Sequence, residues 1–225
     1  MLRSRIKTIN NYFRVYNKPK VFGIGANKTG TTSLKTAMAD LGFIIGSQKK
    51  AENFLYDWGK RDFHRIIKYC YSAQFFQDIP FSLPYTYIIL DHKFPGSKFI
   101  LTIRNDSEEW YESLIKYHSI KWGSKEKISD MKKLKASLNR TQRWAWEALE
   151  IACNVAEDDP YNKEHLIHYY ENHNRNVKEY FRYRPADLLI LNPSESDAMT
   201  KLSIFLELDS LGKTFPKVNV TKDLE

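Results

Sequence analysis

The chemistry-bearing residues of this chain begin at a short polar loop, Gly25-Ala26-Asn27-Lys28-Thr29-Gly30-Thr31-Thr32-Ser33. Two glycines bracket one lysine, and hydroxyl side chains follow the second glycine. An apolar run, Val21 to Ile24, precedes the loop, and Leu34, Ala37, Met38 and Leu41 continue at helical spacing to a stop at Gly42. Strand, glycine loop and helix N-terminus together cradle a phosphate or a similar oxyanion. Backbone amides point at the anion, the helix dipole favours its charge, and Lys28 adds a full positive charge. The lysine is in the wrong place for a Walker A loop, which carries it directly after the second glycine; here Thr31 follows Gly30.

Two more candidates stand at the ends of apolar runs. Asp78 follows Ala73-Gln74-Phe75-Phe76-Gln77 and precedes Ile79-Pro80, and Arg104 follows Lys98-Phe99-Ile100-Leu101-Thr102-Ile103. In an open parallel sheet, ligands sit beyond the carboxyl ends of the strands, which is where both side chains would lie. A carboxylate there can take a proton from a hydroxyl nucleophile, or it can simply cap the helix that follows. An arginine there can clamp a phosphate as a bidentate fork, or pair with a neighbouring acid.

The elements that must position these groups alternate along the chain. The Lys98–Ile103 run has the continuous apolar and β-branched character of a buried parallel strand, and Asp187–Asn192 is a later strand. Phe43–Gly46 reads as a short strand. Helical patterns cover residues 51–71, 83–94, 141–156, 163–183 and 198–208. Another helix opens at Asn105-Asp106-Ser107, with Asp106 or Ser107 as N-cap, Glu108 and Glu109 in its first turn, and Trp110, Ser113, Leu114 and Tyr117 following. Alternating strands and helices predict an α/β fold with a central parallel sheet flanked by helices.

Composition bounds the function. A chain of 225 residues with 42% hydrophobic and 28% charged residues is a globular protein of single-domain size. Its net charge of +8 favours acidic partners, nucleotide, nucleic acid, anionic lipid or sulfated glycan, without choosing among them. Cys70 and Cys153 are far apart and suggest neither a disulfide framework nor a metal site, so no metal is expected, and free thiols fit a reducing, cytoplasmic setting. His64, His165, His168 and His173 follow no zinc-binding spacing and read as exposed or core-edge residues. Residues 1–19 form a basic extension before a single domain over 20–225. That extension carries no apolar core long enough for a signal peptide or span, and Ile6, Ile9, Tyr12, Phe13 and Tyr16 form one face that packs on the domain or rests on an anionic membrane surface. The basic stretch from Lys121 to Arg140 reads as a solvated helix face, the alternative being a patch for an anionic acceptor or a flexible lid.

Lys28-Thr29-Gly30-Thr31-Thr32-Ser33-Leu34 resembles the 5′-phosphosulfate loop of sulfotransferases that use 3′-phosphoadenosine 5′-phosphosulfate (PAPS). Phe94 to Ser113 resembles the 3′-phosphate-binding element of the same family, and Asp78-Ile79-Pro80 resembles the strand end that carries its catalytic base. The likeness covers roughly Lys20 to Asn219. It implies a three-layer, P-loop-like fold with PAPS as donor and an acceptor hydroxyl or amine, borne by a carbohydrate, lipid or small alcohol. Asn27 to Ser33 would hold the 5′-phosphosulfate, Lys28 would act on the leaving group, Asp78 would be the base, and Arg104 with Ser113 would hold the 3′-phosphate. The chain departs from the family pattern at Phe76, where cytosolic relatives carry a lysine. It also lacks their arginine-lysine-glycine loop, with Lys213 or Lys217 as stand-ins. Two rival readings are a nucleotide kinase or NTPase using ATP·Mg, with Asp78 as its Walker B acid, and a basic nucleic-acid-binding protein. The first is disfavoured by the lysine position, and the second by the lack of any binding motif.

Overall fold

The computed structural model describes residues 14–123, 131–138, 141–209 and 213–218. Four parallel strands form one sheet in the order β2-β1-β3-β4: β1 Val21–Gly23, β2 Phe75–Phe76, β3 Lys98–Thr102 and β4 Leu188–Leu191. β1 lies between β2 and β3, with Phe22 opposite Phe76 on one side and Phe99 on the other. Because all four strands run the same way, the loops carrying Lys28, Asp78, Arg104 and Pro193 leave from one edge of the sheet.

Ten helices follow the strands among the described residues. They are α1 Thr31–Asp40, α2 Gln48–Ala51, α3 Leu55–Gly59, α4 His64–Tyr69, α5 Thr86–Lys93, α6 Ser107–Trp122, α7 Met131–Ala136, α8 Trp144–Cys153, α9 Lys163–Tyr180 and α10 Ala198–Phe205. Side chains alternate across the strands, so neighbours feed opposite layers. Val21, Phe75, Ile100 and Leu191 pack against α1 and α10 through Leu34, Ala37, Met38, Ala198 and Leu202. Phe22, Phe76, Phe99 and Leu101 pack on the other face against Leu55, Ile66, Leu90, Val177 and Phe181. The sheet is therefore the middle of three layers, as expected. A third cluster, with Trp110, Leu114, Leu134, Ala145, Trp146, Leu149, Leu166 and Tyr170, joins α6, α7, α8 and α9.

Local departures from the sequence expectation have local causes. The expected helix over 51–71 is broken into α3 and α4 with 3₁₀ turns at Glu52–Phe54 and Cys70–Ser72. The break falls after Gly59, where Arg61 turns left-handed at φ 61° and Asp62 accepts from the His64 amide at 3.0 Å to restart the helix. The expected strand at 43–46 is reduced to a single parallel bridge between Ile45 and Phe75. The helix expected from residue 83 begins at Thr86, because Pro84 is followed by a left-handed Tyr85 at φ 65°. At the N-terminal side, Lys20 is buried with Nζ donating to the Ala73 carbonyl at 2.8 Å. Val15 is fully buried while Tyr16 is exposed; Ile6, Ile9, Tyr12 and Phe13 lie outside the described residues, as does part of the basic stretch 121–140. No helix among the described residues is long and apolar enough to cross a membrane.

Candidate active site

The loop after β1 is held rigidly from outside. Gly25 lies so close to Thr102 of β3 that an added methyl would meet the Thr102 hydroxyl, carbonyl and amide. The first glycine therefore serves strand packing rather than anion approach. Thr29 is fully buried, its Oγ1 donating to the Ala26 carbonyl at 2.6 Å and lying 2.6 Å from Thr102 Oγ1. Its hydroxyl is spent inside the loop. Trp110 Nε1 donates to the Asn27 carbonyl at 2.9 Å, and Arg104 Nε donates to the Lys28 carbonyl at 2.8 Å. Lys28 and Gly30 are both left-handed, at φ 74° and 88°, which wraps the loop into the start of α1. Gly30 caps α1 without a side-chain hydrogen bond, so its first N–H groups have no carbonyl one turn back within the helix. That is the electropositive end of a helix dipole.

Around this loop opens a cleft of about 780 Å³. Asn27, Lys28, Gly30, Thr31, Thr32, Ser33, Asp78, Arg104 and Ser113 all line it, so of the site residues expected from sequence only Thr29 does not. Lys28 Nζ stands 3.1 Å above the centre of the Tyr117 ring, a cation–π contact made at the mouth of the loop. Burial is the main reason its pKa falls to about 8; nearby Lys121 and Arg104 add to the fall, and Asp78 opposes it.

Asp78 follows β2 in a left-handed conformation, φ 56°, and is buried. Its carboxylate accepts from Gln77 Nε2 at 3.1 Å and from the Thr31 hydroxyl. Burial raises its pKa above the ordinary carboxylate range and Glu52 pushes the same way, against the pull of Thr31, Lys28 and Lys35. The helix-cap alternative finds no support: α5 begins at Thr86, with Tyr85 at its N-cap.

Arg104 lies two residues past β3, with its NH1 paired to Glu109 Oε1 at 3.2 Å and its NH2 3.5 Å from Ser113 Oγ. Both partners sit on α6, where Asp106 caps the helix by accepting from the Glu109 amide at 2.7 Å. The spacing 104, 109, 113 thus brings a guanidinium, a carboxylate and a hydroxyl to one corner. Ser33 Oγ accepts from the Val218 amide at 3.1 Å, so the segment 213–218 closes over the start of α1. Lys217 lines the cleft; Lys213 instead reaches the Asp40 carbonyl.

Sequence reading missed part of the wall. Tyr117, His118, Lys121 and Trp122 continue the face of α6 that begins with Trp110, Ser113 and Leu114, and all of them line the cleft. The signal was present as an i, i+3, i+4, i+7, i+8 stripe, but of it only Ser113 was given a site role, and Lys121 was read as part of a solvated face. Across from it α8 contributes Trp144, Ala145, Ala148 and Leu149. His173, expected at the surface or core edge, is buried with Nε2 2.8 Å from the Ile24 carbonyl, packing α9 onto the end of β1. His64 and His165 are exposed, and Cys70 and Cys153 are free thiols.

A parallel sheet between two helical layers carries a lysine-bearing loop, an arginine and a buried carboxylate at one edge, all lining one cleft. The family follows from a direct match: the model of the sulfotransferase domain covers residues 20–224, and the chain belongs to that family. The protein is a transferase acting on sulfuryl groups. No curated protein matches it.

Proposed function

We propose that the protein moves a sulfuryl group from PAPS to an acceptor hydroxyl, with Asp78 as base and Lys28 at the leaving group. The observation that carries this reading is the convergence of Lys28, Asp78, Arg104 and Ser113 on one cleft from three different strand ends. PAPS supplies an activated S–O bond and two separate anionic ends, and the cleft offers two separate cationic corners. The loop and the start of α1 receive the 5′-phosphosulfate, and Arg104 with Ser113 receives the 3′-phosphate, displacing Glu109 from the guanidinium.

In the transfer, the acceptor oxygen forms a bond to sulfur as the bond from sulfur to the 5′-phosphate oxygen breaks. The acceptor proton passes to the Asp78 carboxylate, whose raised pKa makes it a better base than an exposed aspartate. Negative charge grows on the departing phosphate oxygen, where Lys28 and the α1 amides stand. Fixed positions for donor and acceptor supply most of the remaining rate enhancement.

The test is calorimetry with 3′-phosphoadenosine 5′-phosphate (PAP), AMP and ATP·Mg. Tight binding that depends on the 3′-phosphate is expected. A preference for ATP·Mg with no effect of the 3′-phosphate refutes the reading and favours a kinase.

A further inference from the structure

His118 is a buried titratable group in the cleft wall to which the transfer scheme gives no role. It is 8% exposed and lines the cleft on α6, next in the chain to Tyr117, whose ring carries the Lys28 ammonium. The edge of Trp122 packs against its ring at 4.6 Å and Tyr161 at 5.6 Å. Its Nδ1 lies 2.9 Å from the Tyr161 hydroxyl.

That contact fixes where the imidazole proton sits. Burial keeps the Tyr161 phenol protonated. Among the described residues the only partner of this hydroxyl is His118 Nδ1, and a buried O–H donates when an acceptor is in reach. Nδ1 therefore accepts, and a neutral ring carries its proton on Nε2. The ring is neutral because burial, then Lys28 and Lys121, depresses its pKa to about 3. Nε2 has no protein partner among the described residues, and it is not among the polar atoms sealed in apolar packing. The residue that carries this unsealed N–H edge is part of the cleft lining.

We propose that His118 is a further catalytic residue, a neutral hydrogen-bond donor whose Nε2–H binds an oxygen of the transferring sulfuryl group beside Lys28. Tyr161 is its positioning residue, holding the tautomer. The inference rests on the donor assignment made above. A neutral donor suits this place, since a third cation beside Lys28 and Lys121 would be repelled, while an N–H dipole still stabilises oxygens that gain charge in the transition state.

Among the described residues, the groups facing the ring are Lys28 from the loop, Tyr117, Lys121 and Trp122 from α6, and Tyr161 from the segment before α9. None of them supplies a negative charge that would bring the imidazolium into the physiological range.

The experiment is ¹⁵N NMR of the histidine-labelled full chain, with the His118 signals assigned by their loss in His118→Gln. The expected spectrum shows unprotonated Nδ1 and protonated Nε2 with no titration between about pH 5 and 8. Adding PAPS shifts the Nε2 signal, whereas PAP, which lacks the sulfuryl group, does not. In Tyr161→Phe the Nδ1–H tautomer appears. Turnover, read as PAP released from PAPS, falls roughly tenfold there and on the order of 10²-fold in His118→Ala. His118→Gln, which keeps an N–H donor, retains more turnover than His118→Ala, and the affinity for PAP is unchanged in all three. Titration within that range, an Nδ1–H tautomer in the wild type, equal shifts with PAPS and PAP, or no shift overturns the proposal. If calorimetry finds that neither nucleotide binds, the donor assignment itself falls, and this role with it, even where the tautomer is as expected.

Discussion

Replacing Lys28 by methionine is expected to make the protein more stable and inactive. A lysine held at about 8 instead of its ordinary 10.5 is destabilised in its charged form. At about 1.4 kcal/mol for each factor of ten, that charge costs the unliganded fold about 3 kcal/mol at neutral pH. Methionine fills the same volume over the Tyr117 ring and keeps the left-handed backbone no worse than lysine does. Asp78 loses an attractive neighbour, which takes back part of the gain. The net expectation at pH 7 is about 1–3 kcal/mol, or roughly 2–10 °C in Tm for a chain of this size.

The sign of the pH dependence follows from linkage. Below the folded-state value near 8 both folded and unfolded lysine are charged, so the penalty is present in full. As pH rises from 8 toward 10.5 the folded lysine loses its proton first, and the penalty fades. The methionine advantage should thus shrink by about 1 kcal/mol between pH 7 and pH 9. Urea melts of both proteins at the two pH values measure it. A variant that is destabilised at pH 7, or whose advantage grows with pH, refutes the account of Lys28 as a charge buried for function.

Arg104→Ala should weaken PAP binding by about ten- to a hundredfold, the worth of a charge-assisted fork, while leaving AMP, which lacks the 3′-phosphate, nearly unchanged in calorimetry. Asp78→Asn should lower turnover on the order of 10²- to 10⁴-fold with PAP binding retained. The acid limb of the wild-type rate should fall at a pH above that of an ordinary carboxylate, because burial and Glu52 raise Asp78; a limb at the exposed-aspartate value argues against it as base. Gly25→Ala should destabilise the fold by about 2–4 kcal/mol in denaturant melts, since the added methyl meets Thr102 on the adjacent strand. A neutral effect there would mean that the loop can shift away from β3.

How much of this was legible in the sequence depends on the range of the interaction involved. The loop, β3 and α1 are local patterns, and their order alone placed Lys28, Asp78 and Arg104 at one sheet edge. That the Thr29 hydroxyl is held inside the loop was not legible, because one of its partners is Thr102, seventy-three positions away in sequence. The break after Gly59 was written locally in Gly59 and Asp62, but the apolar period ran through it and prevailed in the reading. The wall of the cleft was harder to see. Trp110, Ser113, Leu114, Tyr117, His118 and Lys121 form an unbroken helical stripe, yet a stripe of aromatics reads as core until the partner surface is known. Here Trp110 and Leu114 do pack in a core cluster, and the same stripe also borders a cavity.

In the cleft several cations rest on protein partners. Lys28 rests on the face of Tyr117, Arg104 on Glu109, and Lys121 Nζ donates to the Tyr117 hydroxyl at 2.9 Å. Each of these partners comes from α6, and two of the three contacts are to the uncharged Tyr117. One helix therefore keeps several mutually repelling charges in place near the geometry in which a polyanion meets them. Exchanging a ring face or a shared carboxylate for the donor's oxygens requires small side-chain moves and no refolding, which keeps the reorganisation cost of binding low. The stability lost by burying Lys28 is then recovered only when the anion is present, so ligand binding and folding stability rise together. The same helix carries His118, whose charge burial, Lys28 and Lys121 all disfavour, so the ring adds no further cation to this cleft wall.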